Sequence, residues 1–384
     1  SGTGRIDRNG VKMEPQIELE KVRQDEGKGV NYARRKSKKR KKKQRVLKKV
    51  VIVLAVLLIL LVGSCVYLFV SGQSKLNKKG QESRPQLQST EDVTVDILDE
   101  DTIKYNGKKY KYNKDMINLL FLGTDTSGSM IQDNEEGADA GQADTLILMA
   151  LDNKAKKVSL IPINRDTMTD IETYDIYGKY AGTQKEQIAL SYAYGDGGKK
   201  SAELTKKAVS NLFYGLPIQG YFAINTSAIT VLNDLIGGVE VTLLDDFTFV
   251  DPAYTKGAQV RLRGEFAETY LRGRMDVGDG TNTDRMERQQ QYLTALASQM
   301  LGAVKKDLTL PVSIYRTITD YMVTDISADE ISYLAAQTAG YSIDGELIRK
   351  IGGESVAGEP FMEFHTDEKS FYELILDVFY NEVS

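Results

Sequence analysis

Val50 to Val70 (VVIVLAVLLILLVGSCVYLFV) is a run of 21 residues without a charge. As a helix rising about 1.5 Å per residue it would be about 30 Å long, the thickness of a bilayer's hydrocarbon core. A soluble helix is rarely apolar on every face, so the run predicts a transmembrane helix. It is too long and too far along the chain for a cleaved leader. From Arg34 to Lys49, just before it, 12 of 16 positions are Lys or Arg. The net charge of -4 therefore hides about -16 on the rest of the chain. Alone, the basic run would suit a nuclear signal or a nucleic-acid arm. Followed by a span, it predicts a cytoplasmic N-terminus lying against anionic membrane lipid, with no nucleic-acid partner. Everything beyond about Ser71 is then expected outside the cell, in a single-pass membrane protein.

The organisation expected is a basic tail (1–49), a transmembrane helix (50–70) and a flexible polar stalk (71–92). A β-hairpin accessory region (93–114) follows, and then an extracellular domain (115–384) with a helical C-terminal part. Asn106-Gly107, inside IKYNGKKYKY, is a type I′ turn signal. INLLFLG (117–123), TLILMAL (145–151) and VSLIPI (158–163) read as strands buried on both faces. Helical patterns run over 199–214, 226–235, 265–271 and 285–304, with a short strand at 239–244. Strands alternating with helices predict an α/β fold, a layered α-β-α sandwich around a central mixed sheet.

The chain has one cysteine, Cys65, and one histidine, His365. That excludes an intramolecular disulfide and a cysteine-based zinc site, and it argues against a Ser-His-Asp hydrolase. His365 reads as structural. Gly195 to Ser201 lacks the P-loop order, and Asp133 to Asp139 lacks the EF-hand ligand pattern.

Carboxylates and arginines at element ends remain. Asp125 follows the first strand and Asp144 precedes the second. If those strands are antiparallel neighbours, both acids lie at one end of the sheet, where they could hold Mg²⁺. Periodicity alone favours the plainer reading, in which each aspartate is a turn residue. Arg165 and Asp166 come just after a strand. Arg272 and Arg274 follow a helix, and Arg285, Arg288 and Gln289 share a face at the start of the next, with Asp284 as its cap. Guanidinium forks suit phosphate oxygens, and ordinary salt bridges remain the alternative account.

GTD (123–125), ADT (143–145), RDT (165–167), SYAYGDG (191–197), LIGGVEV (235–241) and LRGEFAETYLRGR…DRMERQQ (262–290) occur in that order. Together with the basic tail and span they resemble the LytR-CpsA-Psr family of Gram-positive cell-envelope enzymes, over roughly 115–304. The resemblance implies a phosphotransferase that moves a glycopolymer (teichoic acid, capsular or related polysaccharide) from an undecaprenyl pyrophosphate carrier to peptidoglycan, forming a phosphodiester. By position it makes Asp125 and Asp144 the Mg²⁺ ligands, with Mn²⁺ as the other candidate cation. It gives Arg165, Arg272, Arg274, Arg285, Arg288 and Gln289 to the pyrophosphate, and leaves Asp166 and Asp284 to orient arginines or assist the acceptor hydroxyl. Two departures stand out. Ile188-Ala189-Leu190-Ser191 replaces a segment that often holds Asn-His, and Gln142 stands near where an arginine commonly precedes the second acid. A non-catalytic binding or regulatory protein for lipid-linked polymer, or a polyprenyl pyrophosphatase, would use the same site.

Overall fold

A computed structural model describes residues 60, 62–81, 84–124, 126, 130, 141–273, 277, 282–342, 346–359 and 361–384. The basic tail, most of the 50–70 run, Asp125 and Arg274 lie outside the described residues, as does the acidic 133–139 loop. Among the described residues no helix is long and apolar enough to cross a membrane. The chain divides into Ser1–Tyr67 and Leu68–Ser384. Of the first unit, residues 62–67 are helical and exposed.

The second unit is built on a five-stranded sheet in the order Met322–Thr324, Gly220–Asn225, Met116–Thr124, Ala143–Asp152, Lys157–Ile163. Met116–Thr124 runs antiparallel to Ala143–Asp152 and parallel to Gly220–Asn225, so the sheet is mixed. Side chains on a strand alternate between faces, and here both faces are covered. Leu120, Leu122, Leu146 and Leu148 pack with Val209 and Leu212 of helix Lys199–Leu212 and with Phe371 and Ile375 of helix Glu368–Phe379. On the other face Ile117 and Leu119 meet Ile331 and Leu334 of helix Ala328–Thr338. The near-continuous apolar runs follow from this double burial.

Thr102–Tyr105 and Lys108–Tyr112 form the hairpin, with Asn106 and Gly107 both at positive φ (48° and 80°) as a type I′ turn requires. The accessory region is not a separate body: Ile103, Tyr105 and Tyr112 belong to the same core cluster as the central sheet.

Two expectations need correction. Residues 68–80 are helical rather than a flexible stalk. Leu76 is fully buried against Ile117 and Ile331, and Gly72 meets the backbone of Asp329 so closely that an added Cβ would lie 2.2 Å from its carbonyl oxygen. Ser71 Oγ donates to Asp329 at 2.6 Å, Lys75 Nζ lies 2.9 Å from Asp329, and Lys79 Nζ is 2.9 Å from Glu330. Burial works to raise the Asp329 carboxyl, but hydrogen bonds from Ser327, Ser71 and Lys75 overcome it and hold the group well below the usual carboxylate range. Further on, Leu87 is also buried in the main core. A polar composition suggested a stalk because only every fourth or so side chain makes the contact.

The C-terminal part is mixed rather than helical. Met322–Thr324 is an edge strand of the central sheet, Gly353–Ala357 and Met362–Thr366 form a hairpin, and Tyr380–Val383 pairs with Lys108–Tyr112. Each strand is only three to five residues long. For Met322–Thr324 and Tyr380–Val383 the partner is some hundred residues away or more, as in Met322 with Ile224 and Tyr380 with Tyr112.

Candidate functional site

Strand ends gather at one edge of the central sheet. Thr124 pairs with Ala143 and with Asn225, and Ile163 pairs with Leu146. Strands Met116–Thr124 and Ala143–Asp152 are therefore antiparallel neighbours, with Thr124 and Asp144 at the same end of the sheet. Gly123 pairs with Thr145 and Thr124 with Ala143, which leaves Asp144 as the extra residue of a β-bulge. A bulge re-aims its side chain, and bulges concentrate near functional sites. Asn225 ends its strand and caps helix Thr226–Leu235, accepting from Ala228 N at 3.2 Å, so a helix N-terminus opens at this edge.

Asn164 makes the turn that displays the next two residues. Its Oδ1 accepts from Asp166 N at 3.0 Å, and its carbonyl accepts from Thr167 N at 3.0 Å and Thr167 Oγ1 at 2.7 Å. Arg165 reaches back across the sheet edge. Its Nη1 donates to Asp144 Oδ1 and its Nη2 to Gln142 Oε1. Both side chains of the Arg165–Asp144 pair keep about a third of their surface (33% and 38%), open enough to meet a ligand. Asp166 Oδ1 accepts from Gln187 Nε2 at 3.1 Å, and Gln187 also donates to Met362 O at 2.6 Å. Burial pushes the Asp166 carboxyl up; the Arg165 guanidinium opposes this, and the Asp144 charge adds to it. Asp166 thus holds its proton to higher pH than a free aspartate, as a group exchanging protons with a hydroxyl would need.

Gln142, Gln187 and Asn164 were absent from the sequence-derived site. For Gln142 the available signal was its position two residues before Asp144, where an arginine is common. A glutamine there accepts from Arg165, whereas an arginine would repel it. Gln187 ends the hairpin Met168–Tyr174/Tyr180–Gln187, which the sequence patterns did not announce.

The second group lies where helix Gly264–Arg272 meets helix Asn282–Lys306. Arg272 is half-exposed and pairs with Glu268 at 2.9 Å. Asp284 and Arg285 are half-buried in the first turn. The helix begins two residues before Asp284, which is therefore a first-turn acid and not the cap. Arg288 requires a correction: it is fully buried, with Nε donating to Tyr270 O at 3.0 Å, Nη1 to Asp245 Oδ2 at 2.5 Å and Nη2 to Gly273 O. Its fork is spent inside the protein, not offered to a phosphate. Gln289 likewise donates to Leu271 O, at 3.3 Å. Ala297 of helix Asn282–Lys306 packs against a buried cluster that includes Ile147 and Leu160 of the sheet together with Leu347 and Ile348.

Packed against the cluster of Ile117, Leu119 and Ile331 are partly buried apolar side chains, among them Phe121 and Phe222, stacked at 5.1 Å, with Met149 and Leu301. His365 sits on an outer hairpin, 2.8 Å from Glu363. The Gly195 loop is a helix cap, with Asp196 Oδ1 accepting from Gly198 N and Ser201 N. Among the described residues no cluster of three or more His, Cys, Asp or Glu is placed to hold a metal.

Residues 66–367 match the sequence model of the LytR_cpsA_psr family. A polyisoprenyl-teichoic acid–peptidoglycan teichoic acid transferase TagU of Enterococcus faecalis is 29% identical over 225 residues, 58% of this chain and 66% of that protein. The TagU of Halalkalibacterium halodurans is 26% identical over 295 residues, 76% of this chain and 84% of that protein. For the TagU proteins of E. faecalis and Bacillus licheniformis the match spans about two thirds of their length, 66% and 63%. Among solved structures, protein gbs0355 of Streptococcus agalactiae superposes with a TM-score of 0.53 at 20% identity, covering 68% of this chain and 88% of that one. TagT bound to LIIa-WTA gives 0.51 at 19% identity, covering 69% and 92%. These two likenesses concern the fold, and a fold alone assigns no activity.

Proposed function

The chain belongs to the LytR_cpsA_psr family, and from that premise we propose that it is a membrane-anchored phosphotransferase. It takes a glycopolymer (a teichoic acid, capsular or related polysaccharide) from an undecaprenyl pyrophosphate carrier and joins it to peptidoglycan. The charge-free run after twelve cations supports a single span with the N-terminus in the cytoplasm and the α/β layers outside. One observation carries the reading: Arg165 and Asp144, a fork for phosphate and a hard oxygen donor, meet on a bulge at the open end of the sheet.

In the reaction the acceptor hydroxyl oxygen of peptidoglycan forms a bond to the sugar-bearing phosphorus. The bond from that phosphorus to the bridging oxygen breaks, polyprenyl phosphate leaves, and the hydroxyl proton is lost. Arg165 and Arg272 would bind diphosphate oxygens and stabilise the charge that grows on the leaving phosphate. Asp166, with its raised affinity for protons and its anchor on Gln187, would receive the hydroxyl proton. Gln142 holds the Arg165 fork in the plane that also meets Asp144. The apolar side chains around Phe121 and Phe222 would receive the first isoprene units.

The residues fit a small hard cation, since an exposed carboxylate on a bulge offers the oxygen ligand that Mg²⁺ takes. Asp144 and Asp125 would hold it, and when bound it would screen the diphosphate oxygens from the incoming hydroxyl. Removing divalent cations from the full-length protein with EDTA is expected to stop transfer, and adding Mg²⁺ to restore it. Undiminished transfer after chelation would remove the cation from the mechanism.

A further inference from the structure

We infer that Arg288 and Asp245 are positioning residues, a buried ion pair that fixes the end of helix Gly264–Arg272 and so presents Arg272 to the diphosphate. The inference rests on the transferase reading for what Arg272 binds; the clamp itself is seen directly.

A helix ends with carbonyls that have no partner in the helix, and that end carries partial negative charge. Here those carbonyls are taken up one after another. Tyr270 O and Gly273 O accept from Arg288, and Leu271 O accepts from Gln289. Arg272 is bracketed by them. Gly273 N closes back on Thr269 O at 2.9 Å, and a Cβ at Gly273 would come within 2.9 Å of Val277 Cγ2, so Gly273 itself is tightly seated. Asp245, itself only 7% exposed, faces Arg288 at 2.5 Å, and the Phe247 ring lies 5.9 Å from the guanidinium carbon.

The geometry explains why the residue is arginine. Three acceptors in three directions need a planar fork; a lysine ammonium is a single point and could not hold Tyr270, Gly273 and Asp245 at once. It also explains why a cation is tolerated without any exposed surface, since the negative helix end and Asp245 both compensate it. Arg272 by contrast stands half in solvent, paired with Glu268. Left on a fraying helix end it would have to be ordered each time a diphosphate bound. Held at both sides, its backbone is already in place, and that preorganisation is what the buried pair contributes.

The test is a double-mutant cycle on the full chain in detergent, with binding of geranylgeranyl pyrophosphate measured by calorimetry. Arg288→Lys keeps the charge and loses the fork; it is expected to weaken binding about tenfold, as is Arg272→Ala. The double variant should bind within about twofold of Arg272→Ala alone, because the clamp acts through Arg272. General destabilisation would not produce that non-additivity. Unchanged binding in a folded Arg288→Lys variant, or losses that multiply in the double variant, would overturn the inference. Should Arg288→Lys not fold, Asp245→Asn carries the same cycle with the same expectations. A wild-type chain that does not bind the diphosphate at all would instead sink the transferase reading, and the inference with it.

Discussion

Arg165→Ala is expected to slow polymer transfer by about 10²- to 10³-fold, the usual cost of removing one preorganised donor from a developing oxyanion. Its melting temperature should stay close to that of the wild type. The Arg165–Asp144 pair is about one-third exposed on both sides, and solvent-screened pairs of this kind contribute only about 0–1 kcal/mol. Arg165→Lys should fall between the two, since an ammonium retains the charge but cannot span Asp144 and Gln142 together. Transfer and thermal unfolding measured on the same preparations separate chemistry from folding. Full activity in Arg165→Ala would remove the pair at the sheet edge from the mechanism.

Gly72→Leu is expected to destabilise the Leu68–Ser384 unit by about 3 kcal/mol, because its side chain would have to occupy the backbone of Asp329. If helical residues 68–80 lift away, Leu76 returns to water at a cost of about 1.5–3 kcal/mol. Buried Glu330 also loses Lys79. Gly63→Ala is the control, since among the described residues nothing lies within 4 Å of a Cβ there. The docking has a pH signature with a definite sign. The Asp329 pKa is lowered on folding, so its contribution is present above the ordinary carboxylate value of about 4 and fades as pH falls below it. Thermal unfolding of both variants at neutral pH and near pH 3 reads this directly. A Gly72→Leu melting temperature equal to that of Gly63→Ala would mean that residues 68–80 are not part of the folded unit.

What could be read in the chain and what could not divides along physical lines. Leu119 to Leu122 announce a doubly buried strand because all four positions are apolar, and Asn106-Gly107 announces its turn because few residue pairs accept two positive φ angles. Helix Thr226–Leu235 begins where Asn225 caps it. The strands Met322–Thr324 and Tyr380–Val383 gave no such signal, since three or four residues carry no period and their partners are remote in sequence. The helical residues after Leu68 looked like a linker because Gly72 and Gly80, which permit close approach, are also what linkers contain.

Residue type singled out Asp144, Arg165 and Asp166, because charged groups at strand ends are conspicuous, and the fold places Arg165 beside the other two. Which charges face solvent and which are consumed inside was not legible. Arg288 and Arg285 lie three apart on one helix, yet the first is fully buried against Asp245, a partner 43 residues upstream. Gln142 was equally silent, because a neutral amide announces nothing until its acceptor oxygen is seen beneath a guanidinium.

The central claim is transfer of a phosphoryl-linked polymer to a sugar hydroxyl, and the most direct measurement is product identity. The full-length protein would be incubated with a synthetic polyprenyl-pyrophosphoryl saccharide, peptidoglycan fragments and Mg²⁺, and the products weighed by mass spectrometry. The account predicts a saccharide joined to the fragment through a single phosphodiester, with polyprenyl monophosphate in equal amount. Saccharide phosphate released to water with the fragments unmodified, or no turnover of bound donor, would contradict it.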